Sequence, residues 1–133
     1  MYIMAQKEVI TELNTKQFTA LVKNLQNQIL IIKFTADWCG PCKKIKPLVD
    51  RCFRSVPSNV ILAEIDVDEN LELYMAFKRS RMVNGIPAIL AYYAKKNRDG
   101  NNYYIPDDSV VGADEKNVSA FFERCGAAAI TLK

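Results

Sequence analysis

The chain has 133 residues, half of them hydrophobic and a quarter charged, which is the size and balance of one soluble globular domain with a single core. Its net charge is only +3 and the basic residues are scattered, so no Lys or Arg run indicates binding to nucleic acid or to a membrane surface. Residues 1–8 lack the pattern of a signal peptide and no run of about 18 apolar residues occurs, so we predict a soluble, cytosolic protein.

The first half of the chain predicts alternating helices and strands. Asn14 can begin a helix through a capping box with Gln17, after which apolar residues recur at helical spacing. Residues 29–34 and 60–67 are short, continuous apolar runs rich in β-branched residues, as in strands that are buried on both faces. Between these two strands, residues 40–55 show the apolar stripe of an amphipathic helix.

The second half predicts two more helices and a hairpin. A helix of about three turns is plausible within residues 68–77, and residues 88–93 suit a strand. The polar segment 95–102 contains an Asp-Gly turn signal, so we predict a hairpin that returns through residues 103–111. Asp114 can begin the last helix. We predict the order βαβαβαββα, with no residues assigned to the first strand, and this order favours a sheet with helices on both faces.

Cys39 and Cys42 stand two residues apart at the entry to a predicted helix. Such a pair can close a disulfide across one turn, and the first sulfur lies where free backbone N–H groups and the helix dipole favour an anion. Lys43, Lys44 and Lys46 add positive charge nearby. We therefore predict that Cys39 is the nucleophile, attacking a target disulfide, and that Cys42 resolves the mixed disulfide and releases the reduced target.

The other readings of the four cysteines are a metal site and simple packing. A structural zinc ion needs about four N or S ligands, usually as two close pairs, whereas Cys52 and Cys125 stand alone and the chain has no histidine. Two ordinary buried cysteines are the other alternative for the pair, which the flanking Trp, Gly and Pro disfavour. For Cys52 and Cys125 we predict core packing on apolar helix faces. The alternative is a regulatory thiol, which requires exposure.

The segment Ala36–Lys43 resembles the active-site signature of the thioredoxin family. Three other landmarks agree with this resemblance. Pro47 matches the proline that kinks the family's second helix, Ile86–Pro87 matches the cis-proline dipeptide that faces the active site, and Gly112 matches the glycine before the last helix. Without the resemblance, the proline of the dipeptide could equally well begin a strand.

The resemblance implies an α/β thioredoxin fold, with a central mixed five-stranded sheet flanked by about four helices. It implies a single domain over residues 1–133, with a core at about residues 8–125. It also implies that Trp38 covers the disulfide at the rim of the site. The docking surface for target proteins would comprise Trp38, Gly40, Pro41, Ile86, Pro87, Val111, Gly112 and Ala113.

Beneath the predicted site the chain departs from the family. The family usually has a buried Asp six residues before the first cysteine, and here that position is Lys33. Many bacterial members carry a partner Lys on the neighbouring strand, where this chain has Glu64. A lone buried ammonium would cost several kcal/mol, so we expect Glu64 to pair with Lys33. Either group could exchange a proton with Cys42 during resolution; the alternative is a purely structural ion pair.

The function implied by the resemblance is protein-disulfide reductase. Its partners would be disulfide-containing target proteins and a thioredoxin reductase, or another electron donor, that draws on NADPH through a flavin. The chain itself is expected to bind no cofactor and no metal ion, to bind neither nucleic acid nor membrane, and to act as a monomer.

Two other functions are alternatives to this one. A disulfide oxidase or isomerase is disfavoured by the Gly-Pro between the cysteines and by the missing secretory signal. A docking subunit in which redox turnover is incidental remains open, because Lys33 is unusual. The segment from Pro87 to Gly112 is roughly nine residues longer than is usual in the family. It is either a tolerated surface hairpin or an extension that selects substrates.

Overall fold

The structure is a computed structural model that describes residues 7–95, 98 and 100–132. Within them the chain forms strands and helices in the predicted order. Their bounds are β1 (Val9–Ile10), α1 (Thr15–Lys23), β2 (Ile29–Thr35), α2 (Gly40–Ser55), β3 (Val60–Asp66), α3 (Leu71–Arg79), β4 (Ala88–Tyr93), β5 (Asp108–Val111) and α4 (Glu115–Leu132).

The strands form one mixed sheet in the order β1-β3-β2-β4-β5. β1 and β2 both pair with β3 in parallel, whereas β4 pairs with β2 and β5 in antiparallel fashion. Residues 29–34 of the central strand β2 are all buried, as its continuous apolar run predicts. The predicted fold class, a mixed five-stranded sheet with four helices, is confirmed.

Helices cover both faces of the sheet and divide the core into two layers. α1 and α3 pack on one face and α2 and α4 on the other. The alternation of side chains along β2 supplies both layers, with Leu30 and Ile32 on the first face and Ile29 and Ile31 on the second. Each large apolar side chain buried in this way contributes about 1.5–3 kcal/mol. In the described part of the chain, no helix is long and apolar enough to cross a membrane.

Local signals in the sequence fix where two of the helices begin. The Asn14 side chain accepts a hydrogen bond from the Gln17 backbone at 2.8 Å, and the Gln17 side chain accepts one from the Asn14 backbone at 2.9 Å. This is the predicted capping box. Before α4, the Asp114 carboxylate accepts from the backbone N–H of Asn117 at 3.0 Å. Pro47 lies inside α2, as predicted.

The connection between β4 and β5 differs from the predicted hairpin. β5 covers only Asp108–Val111, so residues 103–107 belong to the connection and not to a strand arm. We call residues 94–107 the extension. The predicted Asp-Gly turn lies partly outside the described residues, because Asp99 is not among them.

A buried arginine explains why the strand starts late. Arg98 is only 6% exposed, and its guanidinium donates to the carbonyl oxygens of Tyr93, Tyr103 and Ile105 at 3.0–3.2 Å. It also pairs with the Asp107 carboxylate. Since backbone carbonyls need a partner when they are buried, this single side chain replaces the ladder that a longer hairpin would have provided.

Candidate active site

The two predicted redox cysteines meet at the start of α2. Cys39 is the N-cap residue, and its sulfur accepts a hydrogen bond from the backbone N–H of Cys42 at 3.2 Å. The two cysteines form a disulfide with their Cα atoms 5.2 Å apart. Pro41 lies in the first turn of α2, where its missing N–H costs no hydrogen bond. The same N–H and helix dipole stabilise a thiolate on Cys39 when the disulfide is open.

Both sulfurs lie at the edge of the core. Cys39 is 4% exposed and Cys42 is 2% exposed, and both belong to the layer under α1 and α3. The Cys39 sulfur lies 3.9 Å from the carbonyl oxygen of Ile86. The disulfide is therefore shielded, and the backbone beside Cys39 belongs to the predicted docking surface.

Two backbone segments approach each other next to Cys39. The Ile86–Pro87 peptide bond is cis, as predicted. The backbone N–H of Gly112 donates to the carbonyl oxygen of Pro87 at 2.9 Å, and Gly112 has φ +93°, a left-handed conformation that a glycine adopts without cost. Val111, one residue earlier, is 61% exposed. The structure thus brings these predicted docking residues together around the disulfide.

Trp38, directly before Cys39 in the chain, is another member of the predicted docking surface. Its side chain is 69% exposed, and its indole N–H donates to the Asp68 carboxylate at 2.9 Å. This exposure rules out packing of Trp38 in the core. The hydrogen bond holds this large, exposed aromatic ring in place one residue before Cys39.

The predicted pairing of Lys33 with Glu64 is present. The two residues are direct neighbours across β2 and β3, with Nζ and Oε1 3.6 Å apart. Lys33 is fully buried, and its Nζ has no hydrogen-bond partner among the described residues. Burial lowers the pKa of Lys33 below its ordinary value, and the Glu64 charge opposes this only in part. The pair is an ion pair without hydrogen-bond geometry.

Glu64 has a second cationic partner that the sequence prediction missed. Lys46 lies 3.5 Å from the same Glu64 oxygen and 3.4 Å from the Asp50 carboxylate. Burial opposes protonation, but the two carboxylates dominate and raise the pKa of Lys46. Lys46 was predicted to support the Cys39 thiolate; the structure directs its ammonium to the carboxylates instead. One of these contacts had a signal in the sequence, because Lys46 and Asp50 are four residues apart and therefore neighbours on one face of α2.

A cleft of about 330 Å³ joins this charged cluster to the disulfide. Its lining includes Cys42, Lys46 and Glu64, together with Asp37 and Glu69. Lys33 is not among the lining residues, so Glu64 is the member of the buried pair that shares solvent-accessible space with Cys42. Across the described residues, no group of three or more His, Cys, Asp or Glu side chains could hold a metal ion.

The two remaining cysteines lie away from the disulfide. Cys125 is fully buried on α4, and burial raises its pKa to about 12. Cys52 is half-buried on α2, where burial also raises its pKa. It lines a cleft of about 350 Å³ with residues of α2 and α4. Core packing thus holds for Cys125, and Cys52 occupies the edge of the core.

We expect iodoacetamide to distinguish these two thiols in the oxidised, native protein at pH 8. Only the thiolate reacts, so Cys52 should be alkylated more slowly than a free cysteine peptide, and Cys125 only after unfolding in urea. Peptide mass spectrometry over a time course measures both rates. Equal labelling of Cys52 and Cys125 in the native protein would contradict the burial of Cys125.

The chain is similar to known proteins over most of its length. The family model described as Thioredoxin matches residues 9–118. The thioredoxin of Ictalurus punctatus is 39% identical over 57 residues, which are 42% of this chain and 53% of that protein. Thioredoxin 1 of Plasmodium falciparum is 26% identical over 102 residues, which are 77% of this chain and 85% of that protein. The match thus spans about half of the first relative and most of the second.

The fold is shared with solved structures. The thioredoxin of Malassezia sympodialis superposes with a TM-score of 0.67 at 22% identity, covering 94% of this chain and 97% of that one. At this level of identity the superposition bears on the fold alone.

Proposed function

Because the chain belongs to the thioredoxin family, we propose that it is a thiol–disulfide oxidoreductase that reduces disulfide bonds in other proteins. The observation that carries the proposal is the Cys39–Cys42 disulfide at the N-terminus of α2, where the Cys42 N–H donates to the Cys39 sulfur at 3.2 Å. A helix N-terminus that donates to one sulfur of a pair makes that sulfur the better thiolate. Cys39 is therefore the nucleophile and Cys42 the resolving thiol.

The reaction proceeds by two exchanges of sulfur partners. The Cys39 thiolate attacks one sulfur of the target disulfide; that S–S bond breaks, a Cys39–target bond forms, and the leaving target sulfur takes up a proton. Cys42, after losing its proton, attacks the Cys39 sulfur and displaces the second target sulfur as a thiolate. Two electrons have then passed to the target, and the chain holds the Cys39–Cys42 disulfide. An external two-electron donor restores the dithiol.

The target binds in this proposal across the surface between Trp38 and the backbone segments around the disulfide. An extended target segment pairs with the Ile86 backbone, whose carbonyl oxygen lies 3.9 Å from the Cys39 sulfur. The exposed Trp38 ring and Val111 side chain give the segment apolar contacts on two sides. The remaining members of this docking surface are Gly40, Pro41, Pro87, Gly112 and Ala113.

Glu64 is the group that we assign to proton exchange with Cys42. Both residues line the same cleft of about 330 Å³, which is large enough for bridging water. Lys33 lies behind Glu64 and outside the cleft lining, so its role is to position the carboxylate by charge. A half-buried carboxylate that shares a cleft with the resolving thiol can act as its base through water.

The surroundings of the reaction are also part of the proposal. The chain works as a single thioredoxin domain, as a monomer in the cytoplasm, where it serves electron transport and redox homeostasis. Its targets are disulfide-containing proteins, and its electrons come from a thioredoxin reductase or an equivalent flavin-dependent donor.

The reduction potential of the Cys39–Cys42 pair tests the proposal. Equilibration against dithiothreitol buffers, followed by the fluorescence of Trp38, the single tryptophan, should give about −270 mV, as for a reducing dithiol. The Cys42→Ser variant, which cannot close the disulfide, is the control and should show no redox-linked change. A potential near −180 mV or above would instead indicate an oxidase or isomerase. A pair that never closes would leave a docking subunit.

A further inference from the structure

The extension forms one wall of a cleft that none of the site residues lines. The cleft has a volume of about 350 Å³ and is bounded by α1, α3 and the extension, a size within the range of ligand and side-chain pockets. Its apolar floor comes from Phe18, Phe77 and Met82, and its outer wall from Tyr103 and Tyr104. The cleft is thus an aromatic pocket that the additional residues of this chain complete.

The extension leaves the sheet at the end opposite the disulfide. β4 begins at Ala88, directly after the cis-proline segment beside Cys39, and ends at Tyr93, where the extension starts. Six strand residues at about 3.4 Å each place these two ends roughly 17 Å apart. A partner held by the extension would therefore leave the docking surface around the disulfide free.

The two tyrosines are fixed before any partner binds. The Tyr103 hydroxyl accepts a hydrogen bond from the Thr19 hydroxyl at 3.1 Å, and the Tyr104 carbonyl accepts one from the Tyr92 hydroxyl at 2.9 Å. The rings of Tyr103 and Tyr104 meet edge to face, with centroids 5.8 Å apart. Arg98 holds the backbone behind them. A preorganised wall of this kind loses little entropy when it binds.

Three basic residues neighbour the lining of the pocket, either in space or in sequence. The Lys23 ammonium lies 4.6 Å from the centre of the Tyr103 ring. Arg79 and Arg81 are exposed and alternate in sequence with Ser80 and Met82, which line the pocket. Among the described residues, the Glu72 carboxylate contacts the lining residue Thr15, from which it accepts two hydrogen bonds at 2.8 and 2.7 Å. The charge of the mouth is therefore complementary to an acidic partner.

We propose that this pocket, which we call the extension pocket, is a second docking site that binds an acidic protein segment through one aromatic side chain. The aromatic side chain enters between the two tyrosines and Phe77, and carboxylates on either side of it face Lys23, Arg79 and Arg81. Edge-to-face ring contacts and aromatic burial supply the anchor. The basic mouth supplies orientation and faster association. The site goes beyond disulfide reduction and operates in either redox state.

Fluorescence anisotropy with labelled peptides tests the proposal without any redox step. The probe is a seven-residue peptide with a central tryptophan between pairs of glutamates. Two matched peptides replace the tryptophan by alanine or the glutamates by lysines. We expect the acidic tryptophan peptide to bind at least about tenfold more tightly than either, and its affinity to fall as salt rises from 50 to 300 mM.

Protein variants locate the binding. The double variant Arg79→Glu/Arg81→Glu changes only exposed side chains. It should lower the affinity for the acidic tryptophan peptide at least about tenfold. The double variant Arg51→Glu/Arg54→Glu makes the same change of charge on α2 and should have less than about a twofold effect. Ala76→Leu, which fills the pocket from α3, should also weaken the probe. Circular dichroism verifies the fold of each variant.

Two results would overturn the proposal. In one, the three peptides bind equally or not at all; in the other, both double variants weaken the probe to the same extent, which would indicate attraction by net charge alone. Neither result bears on the redox reaction, since the reduction potential of the cysteine pair is measured separately.

Discussion

The Cys42→Ser variant is expected to lose catalytic turnover while keeping the first attack, so that Cys39 remains covalently bound to its target. Cys39 retains its place as N-cap of α2, but the variant lacks the thiol that would displace the target sulfur. Turnover should fall at least about 10³-fold, as when one member of a cooperating pair is removed. Non-reducing electrophoresis and intact-mass measurement after mixing the reduced variant with an oxidised target should show a one-to-one mixed disulfide.

Two further variants make this result specific. Cys39→Ser should form no mixed disulfide, because the remaining Cys42 lacks the N-cap position that stabilises a thiolate on Cys39. Cys52→Ser alters a thiol of the same helix outside the pair and should turn over normally. A mixed disulfide through Cys42 in the Cys39→Ser variant would reverse the assigned roles.

The Glu64→Gln variant is expected to lower the free energy of unfolding by about 3 kcal/mol at pH 7, since it leaves a buried ammonium without its carboxylate. Lys33 is fully buried and lies 3.6 Å from that carboxylate. Removing both charges together should be much less costly, so Lys33→Met/Glu64→Gln should recover most of the loss. Urea unfolding of the wild type, both single variants and the double variant measures this coupling. Additive single effects would show that the two charges act independently.

The same pair predicts a dependence of stability on pH. Burial lowers the pKa of Lys33 in the folded chain below its ordinary value of 10.5. Between the folded-state pKa and 10.5, the unfolded chain binds a proton that the folded chain does not, so the free energy of unfolding rises with pH in that window. The free energy of unfolding of the wild type, relative to that of Lys33→Met, should therefore increase as pH rises toward 10.5. A constant difference from pH 7 to 10 would contradict the lowered pKa.

The buried Cys125 thiol makes stability fall as pH rises, which is the opposite of the effect of Lys33. It does not affect the comparison of the wild type with Lys33→Met. The pKa of Cys125 is raised by burial to about 12, so the unfolded chain loses this proton first and stability falls as pH rises above about 9. This effect is common to the wild type and to Lys33→Met. It cancels in their difference.

The parts of the fold that were predictable depend on local sequence signals. The capping box of Asn14 and Gln17, the buried run of β2 and the strand at residues 88–93 require only neighbouring residues, and all were found where predicted. β1 has two residues, too few to carry a recognisable period. Its position is set by pairing with β3, and the local sequence pattern contains no information about that pairing.

In the candidate site, too, some features could be predicted from the sequence and others depend on tertiary packing. The cysteine pair was evident from its spacing. The Lys33–Glu64 pairing followed from the resemblance to the thioredoxin family, in which the two matching positions lie on neighbouring strands. The contact of Lys46 with Glu64 depends on how α2 is rotated over β3, and that rotation is a property of packing. The burial of Arg98 could not be predicted either, because an arginine within a polar segment ordinarily indicates exposure.

The buried guanidinium of Arg98 orders the extension during folding, before any partner binds. Ordering a backbone residue costs about 1–2 kcal/mol, and a long flexible connection would lose that freedom on meeting a partner. Here the carbonyl oxygens of Tyr93, Tyr103 and Ile105 are gathered by one side chain within the folded monomer, so the loss accompanies folding. Because of Arg98, the entropic cost of ordering this surface lowers the free energy of unfolding. It does not weaken the binding of a partner.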